Sequence, residues 1–164
     1  MPFNTLLLTC LIPGASVSEH GGRVSVKPQS GEIVLFFVVD DQTNRDSTLR
    51  QDLGIVGAIC DCVVYYIKGD KKVLCLVELK GSNVDHAVEQ IMNTFQYLKQ
   101  SLEACTLRRE CRSCFLQIDW RAYVYVHGSV PRNTKQASRF LTEAFRKTKF
   151  AITRERDLGS FLRE

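Results

Sequence analysis

The stretch VELKGSNVDHAVEQI, residues 77–91, sets Glu78 and Lys80 two positions apart at the end of the apolar run 73–77. Side chains alternate along a strand, so these two charges share one face. A further acid, Asp61, lies near the start of the preceding apolar run, 59–67. Between the two runs stands Lys68-Gly69-Asp70-Lys71. It predicts a two-residue hairpin loop with Gly69 in the first central position, as a type II′ turn prefers. In that register Tyr65 faces Leu74, Val63 faces Leu76 and Asp61 faces Glu78, with Lys80 further along the same face. Two carboxylates directly opposite repel each other. A divalent cation between them would turn that repulsion into binding. Hard oxygen ligands suit Mg2+ or Mn2+, which need few protein ligands and keep several waters. A register slipped by one residue would instead send Asp61 and Glu78 to opposite faces.

The elements that must position these residues follow from apolar period. Runs 33–39, 59–67, 73–79 and 120–127 read as strands, and 149–153 as a last short one. Residues 40–52 are polar and turn-rich. From Val84 to Leu102 the apolar positions Val84, Ala87, Val88, Ile91, Phe95, Leu98 and Leu102 follow the helical period. Ser82 or Asn83 can cap that helix. A second amphipathic helix is expected over 134–147, with Ala137, Phe140, Leu141, Ala144 and Phe145 inward. The order strand, strand, strand, helix, strand, helix, strand predicts an α/β fold with a mixed sheet flanked by helices.

Asp61, sixteen residues, then Glu78-Leu79-Lys80 resembles the PD-(D/E)XK nuclease superfamily. The likeness covers roughly residues 50–100 at the level of motif, and the element order extends it to the C-terminus. It implies a restriction-endonuclease-like fold in one domain over residues 1–164. It also implies a Mg2+-dependent (or Mn2+-dependent) endonuclease, a hydrolase of phosphodiester bonds in nucleic acid, with DNA the expected polymer. By this resemblance Asp61 and Glu78 hold the metal, and the backbone carbonyl of Leu79 is a further ligand. Lys80 orients or activates the attacking water and stabilises developing charge. Gln90, on the helix after the motif, positions water or Lys80. Two features depart from the pattern. Cys60 stands where the named motif has Pro, and no single upstream acid stands out. Glu32, Asp41 and Asp52 are the candidates, with Asp52 nearest the hairpin. His86 reads as a polar residue of the helix's first turn.

Two other readings compete. One is a catalytically inactive module of the same fold that binds nucleic acid or a protein partner. Keeping Asp61, Glu78 and Lys80 together weighs against it, because buried charges are costly without a use. The other is a thiolate-metal module. Cys105, Cys111 and Cys114 with Cys10 could supply four thiolates. Their irregular spacing and the distant fourth ligand predict no bound metal there.

The chain has 164 residues, 45% hydrophobic and 24% charged, which suits a globular core and excludes a disordered or fibrous class. Its longest apolar run, 33–39, is too short to span a bilayer. The apolar segment 6–12 lacks the basic residues that precede a signal-peptide core and reads as ordinary structure. Seven cysteines, an odd number, point to free thiols in a reducing compartment and a cytoplasmic location. Residues 1–105 carry 9 Lys/Arg and 12 Asp/Glu, whereas residues 106–164 carry 13 and 6. A basic C-terminal part beside an acidic site suits a phosphate polymer. Arg108, Arg109, Arg112, Arg132, Lys135 and Arg139 are the expected nucleic-acid contacts. They would position the backbone without reading bases. No base-reading module is evident, so a homodimer or a separate chain that supplies targeting is compatible with this reading.

Overall fold

A computed structural model describes residues 8–19, 21–105, 118–129, 134–146 and 149–164, with backbone only for 103–105. The strands are β1 (Leu11–Ile12), β2 (Ser16–Glu19), β3 (Gly22–Ser25), β4 (Glu32–Val38), β5 (Cys62–Lys68), β6 (Lys71–Lys80), β7 (Ile118–Val126) and β8 (Phe150–Thr153). The helices are α1 (Leu49–Leu53), α2 (Val84–Cys105), α3 (Lys135–Phe145) and α4 (Leu158–Arg163). Six strands form a mixed sheet in the order β1-β4-β5-β6-β7-β8, and β2 with β3 forms a separate hairpin. Pairing is antiparallel from β1 through β6 and parallel from β6 through β8. The parallel step from β6 to β7 needs a crossover, and α2 lies in it.

The β5–β6 register is the one that the Gly69 turn predicts. Tyr65 pairs with Leu74, Val63 with Leu76 and Cys62 with Val77. Gly69 has φ +56°, and Asp70 is not among the positive-φ residues, the sign pattern of a type II′ loop. The strand itself starts three residues later than its apolar run. Ile59 and Cys60 are tied to α2 side chains instead of a strand partner, whereas the Asp61 carbonyl still accepts from the Val39 N–H at 3.1 Å.

The sheet is covered on both faces. On one side Val63, Leu74, Leu76, Ala122, Val124 and Val126 pack against α2 and α3. All seven predicted apolar positions of α2 are buried there. On the other side Val64, Cys75, Val77, Leu79 and Tyr123 pack against the β2–β3 hairpin and α4, through Val17, Val24, Leu158, Phe161 and Leu162. Strands buried on both faces read as continuous apolar runs, which is why β5 and β6 show so little alternation. Asn83 caps α2 by accepting from the His86 N–H at 3.2 Å. In α3, Ala137, Leu141 and Phe145 are buried as expected, but Phe140 is 39% exposed. Its ring carries the Arg139 guanidinium, 5.5 Å from the centroid, rather than the core. No described helix is long and apolar enough to cross a membrane.

Candidate metal and active site

Asp61 is placed by the helix that follows it in the fold. Four α2 side chains facing residues 56–60 hold that irregular segment. Gln90 Nε2 donates to the Ile59 carbonyl at 2.8 Å. Asn93 Nδ2 donates to the carbonyls of Val56 and Ala58 at 2.9 and 2.8 Å. Thr94 Oγ1 accepts from the Cys60 N–H at 2.8 Å, and the Tyr97 hydroxyl accepts from the Val56 N–H at 3.3 Å. An extended segment without a strand partner thus has its backbone groups satisfied by side chains. The result delivers Asp61 to the mouth of β5.

There the Glu78 carboxylate holds the Asp61 backbone, and the Asp61 carboxylate holds that of Leu79. Asp61 N–H donates to Glu78 Oε2 at 3.0 Å, and Leu79 N–H donates to Asp61 Oδ2 at 2.6 Å. Both side chains lie on the α2 side of the β5–β6 hairpin, as the register requires. Lys80 Nζ lies 2.7 Å from Glu78 Oε1. That approach is poorly aligned, so Oε1 has an ionic neighbour but no proper hydrogen bond. Lys80 is itself held in place where its carbonyl accepts from the His127 N–H at 2.9 Å.

The carboxylates whose oxygens converge are Glu19, Asp40 and Asp61, mutually within 4.8 Å. Glu78 stands behind Asp61, outside that triad. Glu19 comes from β2 and accepts from Thr43 Oγ1 at 2.7 Å. Asp40 follows β4 and organises the next turn, accepting from the Gln42 N–H through its side chain and from the Asn44 N–H through its carbonyl. Neither acid is among the upstream candidates of the sequence. Glu32 is instead tied to Arg163, Tyr66 and Lys68 at the far end of the sheet. Asp41 accepts from Arg50, and Asp52 accepts from Thr48 in the exposed turn of α1. The alternation Val17, Glu19 before Gly21-Gly22 was the available signal for Glu19, since it marks a hairpin. Nothing local marks Asp40 as buried.

A cavity of about 170 Å3 opens here, and its wall includes Asp40, Asp61, Lys80, His86 and Gln90. That is far more than the ~10–15 Å3 one water needs. Gln90 is 6% exposed, and its Oε1 has no partner among the described residues. His86, read from sequence as a bland first-turn residue, belongs to this wall, with Nδ1 3.3 Å from Glu89 Oε2.

Electrostatics follow from crowding. Burial pushes the Asp61 carboxyl up, and the Glu78 charge pushes it further, to about 9. Burial also raises Glu78, against the pull of Lys80. Asp40 is raised chiefly by burial. For Lys80, burial lowers the pKa but the Glu78 carboxylate outweighs it, so the ammonium stays protonated. The cluster therefore holds protons where it lacks a cation. An all-oxygen donor set, surplus negative charge and an orphaned Gln90 oxygen fit a hydrated divalent ion.

Beside the site, Cys60 is a buried thiol whose pKa burial drives well up, which makes it inert. Cys10, Cys60, Cys62 and Cys75 are free and buried, and Cys10 Sγ lies 3.3 Å from Ser47 Oγ. The side chain of Cys105 and the whole of Cys111 and Cys114 lie outside the described residues, as do Arg108, Arg109, Arg112 and Arg132. Lys135 and Arg139 are exposed on α3, with Arg139 3.9 Å from Glu143.

Comparison with known proteins finds no matching family model, no matching curated protein and no matching solved structure.

Proposed function

We propose that this chain is a metal-dependent nuclease of restriction-endonuclease-like fold, hydrolysing phosphodiester bonds in nucleic acid, with DNA as the polymer. The observation that carries the reading is the assembly of Asp61, Lys80 and Gln90 at one cavity, with Glu78 behind them against Asp61 and Lys80, and two further carboxylates from distant segments. A mixed sheet in which an antiparallel hairpin bears the acids and the next helix packs behind them is also what the resemblance implies. Asp61, Asp40 and Glu19 would hold Mg2+ or Mn2+, with Glu78 and the Leu79 backbone next to them. The ion, when bound, supplies Lewis-acid polarisation of a phosphate oxygen and a lowered pKa for its water.

The chain's own residues do the rest. Lys80, kept protonated by Glu78, offers a fixed positive charge where a phosphate gains negative charge in the transition state. It serves as an electrostatic stabiliser and not as a base. Gln90 is anchored through Nε2 to the Ile59 carbonyl, which leaves Oε1 to accept a hydrogen bond from a water. Lys135 and Arg139, with Arg108, Arg109, Arg112 and Arg132, are the proposed contacts to the backbone.

The test is incubation with single-stranded, duplex and branched DNA and with RNA, in Mg2+ or Mn2+, beside an Asp61→Ala control. Cleavage by the wild type that EDTA and Asp61→Ala abolish is the expected result. No metal-dependent cleavage of any polymer refutes the nuclease reading.

A further inference from the structure

The cavity wall carries a residue that the nuclease motif does not provide for. Arg50, from α1, lines it together with Asp40, Asp61 and Lys80. Its guanidinium is held at two points. Nε donates to both Asp41 oxygens, at 3.0 and 2.9 Å, and Nη1 donates to the Gly57 carbonyl. Gly57 follows the α1 C-cap, Gly54, whose left-handed φ of +61° turns the chain back so that Ile55 N–H reaches the Arg50 carbonyl at 2.8 Å. The loop and the side chain therefore brace each other. Asp41 takes only Nε, so this is not the two-nitrogen fork that saturates an arginine. Nη2 and the second Nη1 hydrogen have no partner among the described residues, although the side chain is only a quarter exposed.

Charge explains why such a group is needed. Asp40 and Asp61 form the cavity wall, with Glu19 and Glu78 directly beside them. A phosphodiester approaching them meets repulsion that one divalent ion and Lys80 only partly offset. Among the described residues Arg50 is the one guanidinium in the wall, and a guanidinium matches the oxygens of a phosphate better than an ammonium does. It is also pre-anchored, so it loses little side-chain freedom on binding.

We propose that Arg50 is a substrate-positioning residue whose free guanidinium N–H groups bind a non-bridging phosphate oxygen of the nucleic-acid strand entering the cavity. This rests on the nuclease reading and extends it with a residue outside the motif. Arg50 acts in binding, not in the chemical step.

The experiment measures steady-state cleavage and salt-dependent binding of labelled DNA and RNA oligonucleotides by wild type, Arg50→Gln and Arg50→Lys. For Arg50→Gln the expected result is a KM raised about 10- to 100-fold with kcat within about twofold. The slope of log affinity against log salt should fall by about one. Arg50→Lys keeps the charge without the fork and should lie between. A purely structural role would lower Tm and active fraction but leave KM and the salt slope of the folded fraction unchanged, and that outcome overturns the proposal. If the wild type binds without cutting, the nuclease reading fails, yet the salt slope still decides Arg50. If the wild type neither binds nor cuts any oligonucleotide, both fall.

Discussion

Replacing Asp61 by Asn should make the metal-free protein more stable at alkaline pH while removing its response to Mg2+. Asn keeps an oxygen to accept from the Leu79 N–H, so the hydrogen bond at the β5 mouth survives. What it removes is a carboxyl whose pKa rises from an ordinary 3.8 to about 9 on folding. Between those values the folded wild type holds a proton that the unfolded chain has released. Stability from this group is full below pH 4 and is lost as pH rises through 9. The slope reaches about 1.4 kcal/mol per pH unit. From pH 6 to 8 this carboxyl alone should cost the wild type in EDTA about 2–3 kcal/mol, roughly 4–12 °C in Tm for a chain of this size. Asp61→Asn should lose far less, and the slope left below pH 7 belongs to Glu78, itself raised to about 7. Mg2+ at 100 times its Kd should return about 2.7 kcal/mol to the wild type and little to the variant. Circular-dichroism melts at pH 6, 7 and 8, with EDTA or Mg2+, decide it. Equal pH slopes in EDTA, or equal stabilisation by Mg2+, would refute the crowded-carboxylate argument.

Three further outcomes are expected. Lys80→Ala should slow single-turnover cleavage about 10²–10³-fold with oligonucleotide affinity nearly unchanged, and a wild-type rate at saturating Mg2+ would remove Lys80 from the chemistry. Glu19→Gln should weaken Mg2+ binding at least tenfold by calorimetry, and an unchanged Kd would place the ion away from the β2–β3 hairpin. Asn93→Ala strips two carbonyls of their donor and should cost about 1–3 kcal/mol in urea unfolding, with Mg2+ affinity falling as Asp61 loses its support. A loss under 0.5 kcal/mol would mean that residues 56–60 hold their shape unaided.

Much of this frame was legible in the sequence because it is local. The α2 period, the Asn83 cap and the Gly69 turn each act within a few residues, and together they set the register that puts Asp61 and Glu78 on one side of the hairpin. What escaped depends on pairs far apart in the chain. Asp52 lies nearer than Asp40 to the motif in sequence, yet a Thr48 hydroxyl takes it outward. Glu19 looks like a surface residue of a short strand until the hairpin folds over the sheet and Thr43 fixes it. His86 and Arg50 fall on no apolar stripe, and only the cavity shows what they share. Phe140 misled because it follows the helical period while its position on α3 overlooks solvent.

The route by which Glu19 reaches the cavity has a consequence for folding order. The β2–β3 hairpin packs on the sheet face opposite α2, whereas Asp61 is delivered by α2 itself, so the acidic triad spans both layers around the strand ends. Residues 19, 40 and 61 are stitched together at one point without any local contact that nucleates the meeting. In a metal-free chain protons relieve the triad's repulsion, and the hairpin is the arm that brings Glu19 to it. An ion seated there would lock that arm, so amide exchange should slow in β2 and β3 on adding Mg2+ while β8, at the far edge of the sheet, keeps its rates. The layer that β3 and α4 complete would then sense an occupant that Glu19 alone touches.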